Sequence, residues 1–224
     1  PFCGGGAVFL KKPLAEKNII NDKDKEVIAV FKAFKNKVGF ERCNMQGSKN
    51  KFDRILNKKN KSACDVAYLN KWSYGSSNKS FALSKNKNRS ESFKKRWLKN
   101  KNKKDFGINY QNSNQQAYQE KLKNTQIYNQ DFSAVMKRWD SPQTVHFADP
   151  PYFGVDSMYK EKGVTPKEVC DVAKKMKGQV LITYNDVPEV RKSCKGLRME
   201  KISSRYTLNG DNPTKSKELL IIKN

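Results

Sequence analysis

The sequence is short of acid: its 224 residues carry 22 Asp and Glu against 46 Lys and Arg, a formal net charge of +24 with the single histidine neutral. It is also short of apolar residues, at 36 %, or about 41 % once the 12 glycines are added, against roughly 45–50 % in ordinary globular domains. Aromatics at 11 % nevertheless argue against disorder throughout. No run of 18 apolar residues exists, so no segment has the length and hydropathy of a spanning helix, and no membrane partner is expected. Lys11 and Lys12 interrupt the apolar N-terminus within a few residues, which removes the pattern of a signal peptide. The five cysteines are odd in number, far apart and without a CxxC pair. Neither a disulfide framework nor a structural zinc site, nor any other metal, is expected from them, and the expected compartment is a reducing cytoplasm. A chain of this length suits one large domain or one domain carrying an insertion.

What is present is concentrated. Between Lys49 and Lys104 stand 18 Lys and Arg against Asp53, Asp65 and Glu91, a net +15 (18 less 3) in 56 residues. The same stretch holds Tyr68, Trp72, Tyr74, Phe81, Phe93 and Trp97. Phosphate attraction by cations, with rings available for stacking, is the footprint of a nucleic-acid surface. Of all the cations 38 are Lys and 8 are Arg, an excess that AT-rich coding drift also produces. Drift does not empty one segment of acids, so a polyanion-binding segment is the expectation. Composition does not choose DNA over RNA.

The elements alternate. A turn at Pro1–Gly6 leads into a short apolar stretch, Ala7–Lys12, and Lys17–Asn21 reads as a strand. Asp24 is placed to cap a helix with Val27, Phe31, Phe34 and Val38 on one face, closed by Gly39. From 40 to 122 periodicity weakens and the chain reads as an inserted subdomain with a solvated tail at Lys99–Lys104. Strands are then predicted at Thr125–Asn129, Gln143–Ala148 and Gln179–Tyr184, and two more at Arg198–Tyr206 and Leu219–Ile222, joined by Asn209-Gly210. Helices are predicted at Phe132–Trp139, after the Thr165-Pro166-Lys167-Glu168 capping box, and at Val187–Lys195. This is an α/β pattern: a mostly parallel sheet covered by helices, ending in an antiparallel hairpin.

Ligands of open α/β sheets sit at the carboxyl ends of strands. Gly4, Gly5 and Gly6 lack side chains and so let a ligand approach the backbone, although a run of three is also a plain flexible turn. Asp22 lies sixteen residues beyond Gly6, at the end of the next strand, where nucleotide-binding sheets place an acid for ribose hydroxyls; capping beside Asp24 is the alternative. Asp131-Phe132 pairs a strand-end acid with a ring that can lie on a purine, or is one more cap. Asp149-Pro150-Pro151-Tyr152 differs in kind. Its prolines fix the backbone and remove two amide donors, which leaves acceptors beside a flat ring, the complement of an exocyclic amino group on a base. His146, on the strand just before it, reads as a hydrogen-bonded core residue rather than a base.

Taken in order, Pro1-Phe2-Cys3-Gly4-Gly5-Gly6-Ala7-Val8-Phe9, Asn21-Asp22, Asp131-Phe132, Asp149–Tyr152, Thr183-Tyr184-Asn185-Asp186 and Glu218-Leu219-Leu220-Ile221 resemble the Dam-like (D12 class) DNA adenine-N6 methyltransferases. The resemblance implies a Rossmann-like methyltransferase fold of residues 1–39 and 123–224 with an inserted basic target-recognition subdomain at 40–122. It implies S-adenosyl-L-methionine as cofactor, held by Phe2, Cys3, Gly4, Gly5, Gly6, Asp22, Asp131 and Phe132. It assigns Asp149, Pro150, Pro151 and Tyr152 to the flipped target base, and double-stranded DNA to the Lys and Arg of 49–104. A monomer is expected, with a restriction endonuclease partner left open. The family begins with a lysine-bearing segment that this chain, starting at Pro1, is expected to lack. Tyr68-Leu69-Asn70-Lys71-Trp72-Ser73-Tyr74-Gly75 is more similar to phage and restriction-linked relatives than to the pattern associated with GATC reading. N4-cytosine methylation, RNA adenine methylation and a catalytically dead binder remain the alternatives.

Overall fold

The computed structural model describes residues 1–36, 43–44, 46–73, 81, 114–154, 163–206 and 214–224. In chain order its elements are α1 (Ala7–Lys11), β1 (Asn18–Asn21), α2 (Lys25–Asn36), α3 (Lys49–Leu56), α4 (Ala63–Trp72), α5 (Asn114–Lys123), β2 (Thr125–Tyr128), α6 (Phe132–Arg138), β3 (Val145–Ala148), α7 (Pro166–Lys174), β4 (Gln179–Asn185), α8 (Pro188–Ser193), β5 (Arg198–Tyr206) and β6 (Thr214–Lys223). Among the described residues, no helix is long and apolar enough to cross a membrane. The expected Lys99–Lys104 loop, Val38, Gly39 and the Asn209-Gly210 turn lie outside the described residues.

Helices begin where the sequence places caps. Thr165 Oγ1 accepts the Glu168 N–H at 3.2 Å while the Glu168 carboxylate takes the Thr165 N–H at 2.8 Å, and Pro166 fills the first helical position of α7. Ser62 and Asp65 form the same reciprocal pair at the start of α4. Each cap satisfies amides that have no partner inside the helix.

The chain forms two compact units. The first comprises Pro1–Pro13, Ile19–Lys25 and Gln126–Asn224. Its larger sheet runs β3-β4-β6-β5, and β1 pairs with β2 as a two-stranded sheet. β3 and β4 are parallel, with Phe147 opposite Leu181 and Ala148 opposite Ile182. The β5/β6 hairpin is antiparallel, as expected, but β6 also pairs antiparallel with β4. Two of the three pairings in this sheet are therefore antiparallel, where helix–strand alternation predicts a mostly parallel sheet. The alternation anticipates crossovers; it carries no information on which strand the terminal hairpin docks against.

One face of this sheet makes the core. Ala148, Val180, Ile182, Tyr184, Leu219 and Ile221 pack against Val169, Cys170 and Ala173 of α7 and Val190 of α8. The strict alternation along β4, with Val180, Ile182 and Tyr184 buried and Leu181, Thr183 and Asn185 half-buried, fixes its register. Ile182 is 1 % exposed, and truncating such a side chain to Ala costs about 2–5 kcal/mol.

The second unit comprises Leu14–Asn18 and Glu26–Thr125. Within it α2 buries Ile28, Val30, Phe31, Ala33 and Phe34. Phe52 and Ile55 of α3, Tyr68 and Leu69 of α4, and Phe81 form a second core with Trp72 packed against it. The Tyr68 hydroxyl accepts the Ser48 N–H at 2.9 Å and lies 3.1 Å from the Gln46 carbonyl, and Lys51 sits 4.5 Å over its ring. Among the described aromatics of the basic stretch, Tyr68, Trp72 and Phe81 thus serve packing; Tyr74, Phe93 and Trp97 lie outside the described residues.

The cysteine expectation is corrected. Cys43 is bonded to Cys64 and Cys170 to Cys194, with Cα separations of 5.8 and 5.3 Å, leaving Cys3 as a thiol. The partners stand 21 and 24 residues apart, too far for any local spacing to announce them; α7 and the end of α8 meet only through tertiary packing. The cysteine argument for a reducing compartment falls with this expectation.

Candidate functional site

The predicted glycine turn, Asp22 and the Asp131-Phe132 pair come together at the ends of β1 and β2. Gly4 is in the left-handed region (φ 45°), which orients its N–H toward Asp22 Oδ2 at 2.7 Å. Asp22 Oδ1 accepts the Asp24 N–H at 2.9 Å. Asp22 thus ties the backbone just before α2 with one oxygen and holds the glycine turn with the other. The Gly6 N–H closes the turn on the Cys3 carbonyl at 2.7 Å, and the Cys3 N–H reaches the Asn21 carbonyl at 2.9 Å. A Cβ built on Gly4 or Gly5 would meet nothing within 4 Å, so the space in front of the turn is open. Burial, reinforced by the Asp22 charge, pushes the Cys3 thiol up to about 12, which keeps it protonated and unreactive at neutral pH.

Asp131 is the N-cap of α6; its Oδ1 accepts both the Ser133 N–H at 2.9 Å and the Ser133 hydroxyl at 2.6 Å. The Ser133 hydroxyl bond is the main reason its pKa lies below the ordinary carboxylate value. Phe132 is 8 % exposed and stacks at a tilt on Phe2, with ring centroids 5.1 Å apart. Its ring is thus committed to the core on one side.

Asp149 follows β3 directly. Its Oδ1 accepts a hydrogen bond from Thr183 Oγ1 at 2.5 Å. Surrounding protein, with the Glu218 charge adding to it, raises its pKa above the ordinary carboxylate value; the Thr183 bond opposes that rise. Pro150 is buried and Pro151 half-buried. Tyr152 packs on the core cluster that also carries Phe2 and Phe132, and its ring centroid lies 6.4 Å from that of Tyr184. One apolar cluster therefore links the tetrapeptide to the aromatic pair beside the glycine turn. Phe153 is 43 % exposed, and both its backbone groups bond the Asn185 side chain.

Over residues 1–208 the chain matches the family of D12 class N6 adenine-specific DNA methyltransferases. The chain belongs to this family. No curated protein matches it. Membership brings adenine methyltransferase activity and DNA as the substrate polymer.

In this methyltransferase the Asn21 amide, 1 % exposed, organises the strand ends. It accepts the Gln130 N–H at 2.9 Å and donates to the carbonyls of Gln130 at 3.1 Å and Pro1 at 2.9 Å. Asn129 Nδ2 donates to the Asp22 and Lys23 carbonyls at 2.8 and 2.9 Å. Asn21 stands in the family-like Asn21-Asp22 pair without a role of its own there, and Asn129 carries no signal, since an Asn at a strand end reads as turn chemistry. Thr183 and Asn185 stand in the family-like stretch Thr183–Asp186, but the sequence gives neither a role; their spacing of two on a strand parallel to β3 puts both on the face next to Asp149.

His146 stands apart from the methyltransferase site chemistry. It is 6 % exposed and its Nε2 lies 3.3 Å from Asp140 Oδ1. Asp140 also accepts the Lys177 and Gly178 N–H groups at 2.7 and 3.0 Å. A Cβ on Gly178 would lie 2.3 Å from the Thr144 carbonyl oxygen, so only glycine fits this corner. Burial lowers the His146 pKa and the Asp140 contact opposes it.

Proposed function

We propose that this chain transfers a methyl group from S-adenosylmethionine to the N6 amino group of an adenine flipped out of duplex DNA at a specific site. The carrying observation is Asp149: an acceptor with one oxygen fixed by Thr183, followed by two prolines that have no N–H and a ring at Tyr152. The reading assigns 1–39 and 123–224 to a Rossmann-like catalytic domain and 40–122 to target recognition. Its support is the βα order of the first unit and the net +15 of residues 49–104.

The residues present suit the cofactor. Open space before Gly4 and Gly5 admits a ligand to the backbone, and the Asp22 carboxylate, with one N–H on each oxygen, retains lone pairs for hydroxyl donors. The Asp131 carboxylate, already reached by the Ser133 hydroxyl and the Ser133 and Ala134 amides, retains acceptor lone pairs for an amino group beside Phe132. When bound, S-adenosylmethionine supplies an electrophilic methyl carbon.

The protein's part is then binding and alignment. An adenine amino nitrogen is a poor nucleophile because its lone pair is delocalised into the ring. Asp149 and the Pro150 carbonyl, accepting its two hydrogens, favour a pyramidal nitrogen and localise that lone pair. Holding the reactants in line contributes about 7–11 kcal/mol to the rate. Flipping the base costs a few kcal/mol, and stacking on Tyr152, about 1–3 kcal/mol per base, offsets much of it.

Asp149→Ala tests the assignment. Methyl transfer is lost while calorimetric affinity for S-adenosylmethionine stays within roughly twofold, a change of under ~0.5 kcal/mol. Loss of both together refutes the role given to Asp149.

A further inference from the structure

We infer that β4 is the positioning strand of the site: Thr183 orients Asp149, and Asn185 pins the chain immediately after Tyr152, so the tetrapeptide is held from both ends by one rigid element. The inference rests on the reading of Asp149 as the acceptor for the target amine, and names the residue that sets its orientation.

The need for such a clamp follows from the sequence. Two prolines remove two of the four amide donors of residues 149–152, so this segment lacks the hydrogen bonds by which a turn normally fixes itself. Something outside the segment must hold it. The parallel register, with Ala148 opposite Ile182, brings Thr183 level with Asp149. Thr183 Oγ1 donates to Asp149 Oδ1 at 2.5 Å; its other neighbour, the Ala148 carbonyl, is 3.5 Å away. Two residues on, Asn185 accepts the Phe153 N–H at 3.1 Å and donates to the Phe153 carbonyl at 3.0 Å. Successive side chains of a strand alternate, so 183 and 185 share a face while Tyr184 enters the core behind them.

Two consequences follow for the carboxylate. With Oδ1 engaged by the Thr183 hydroxyl, Oδ2 is the oxygen presented for an amino donor, and its direction is set by β4 rather than by a free rotamer. The bond also favours the charged form. Glu218 from the neighbouring β6, which pairs with β4 at Asn185, acts against that charge, and it and the Thr183 hydroxyl are the groups that bear on the Asp149 carboxyl. Thr183 is thus a positioning residue that keeps Asp149 both aimed and ionised.

The test uses the full chain with Thr183→Val, which keeps shape and strand propensity but removes the donor, and Thr183→Ser, which restores it. Carbon-13 NMR titration of the Asp149 carboxyl, assigned by its loss in Asp149→Asn, is predicted to show a higher pKa in Thr183→Val than in wild type and a return toward wild type in Thr183→Ser. In methyl transfer, Thr183→Val lowers kcat by roughly 10- to 100-fold, the scale of one charge-assisted hydrogen bond. It moves the acid limb of the pH profile upward and leaves cofactor affinity unchanged; Thr183→Ser recovers most of the rate. An unmoved Asp149 pKa in Thr183→Val, or a rate loss that serine does not recover, overturns the inference. The carboxyl titration needs no substrate, so it decides the positioning role even if the wild-type chain methylates no adenine, the outcome that would sink the functional reading instead.

Discussion

The side chain of Asn21 grips the backbone of Gln130 with two hydrogen bonds, accepting its N–H at 2.9 Å and donating to its carbonyl at 3.1 Å. Residues 109 apart in sequence are joined in this way at the point where β1 and β2 end. A third bond, to the Pro1 carbonyl, brings in the glycine turn. The cofactor-binding assignment depends on these three segments keeping fixed spacing.

Asn21→Leu is therefore expected to strand three backbone groups at a buried position. Each unsatisfied group costs about 1–3 kcal/mol, with shared relaxation keeping the total near 3 kcal/mol. Denaturant unfolding measures that loss. Calorimetry is expected to show S-adenosylmethionine affinity falling at least tenfold; full affinity in a correctly folded variant would contradict the role.

Asp22→Asn separates the two functions of that carboxylate. An amide has one acceptor oxygen for the two N–H donors of Gly4 and Asp24, and its nitrogen faces a donor. A stability loss of about 1–2 kcal/mol is expected. The loss of cofactor affinity should exceed it, at more than tenfold, because the ribose acceptor weakens along with the turn. A stability loss with unchanged affinity would leave Asp22 as a backbone tie alone.

How much of this was legible in the sequence depends on range. Caps and alternation are local, and Thr165, Ser62 and the β4 pattern govern their elements from within a few residues. The Asp149–Tyr152 segment was legible for a similar reason: two prolines constrain the backbone wherever they occur. What escaped were partnerships made by the fold. Cys170 and Cys194 meet through helix packing, Thr183 meets Asp149 through strand register, and Asn21 meets Gln130 across 109 residues. Asp131 was legible both as a cap and as an acid beside a ring; the structure shows the local cap on Ser133.

The chain's one histidine gives a clean pH test. Burial depresses the His146 pKa, so the unfolded chain binds a proton more readily than the folded one. The stability held by neutral His146 is full above the unfolded value of about 6.5 and declines as pH falls below it toward the depressed folded value. Melting temperature against pH is expected to drop across that window in wild type and to flatten in His146→Gln. Parallel curves would show that His146 does not titrate between the two states.

The central claim is a reaction, and the most direct test reads its product. Duplex DNA incubated with the protein and S-adenosylmethionine, digested to nucleosides and analysed by mass spectrometry, is predicted to contain N6-methyladenine with wild type and none with Asp149→Ala. N4-methylcytosine in its place, or no methylated base from duplex DNA, would contradict the account.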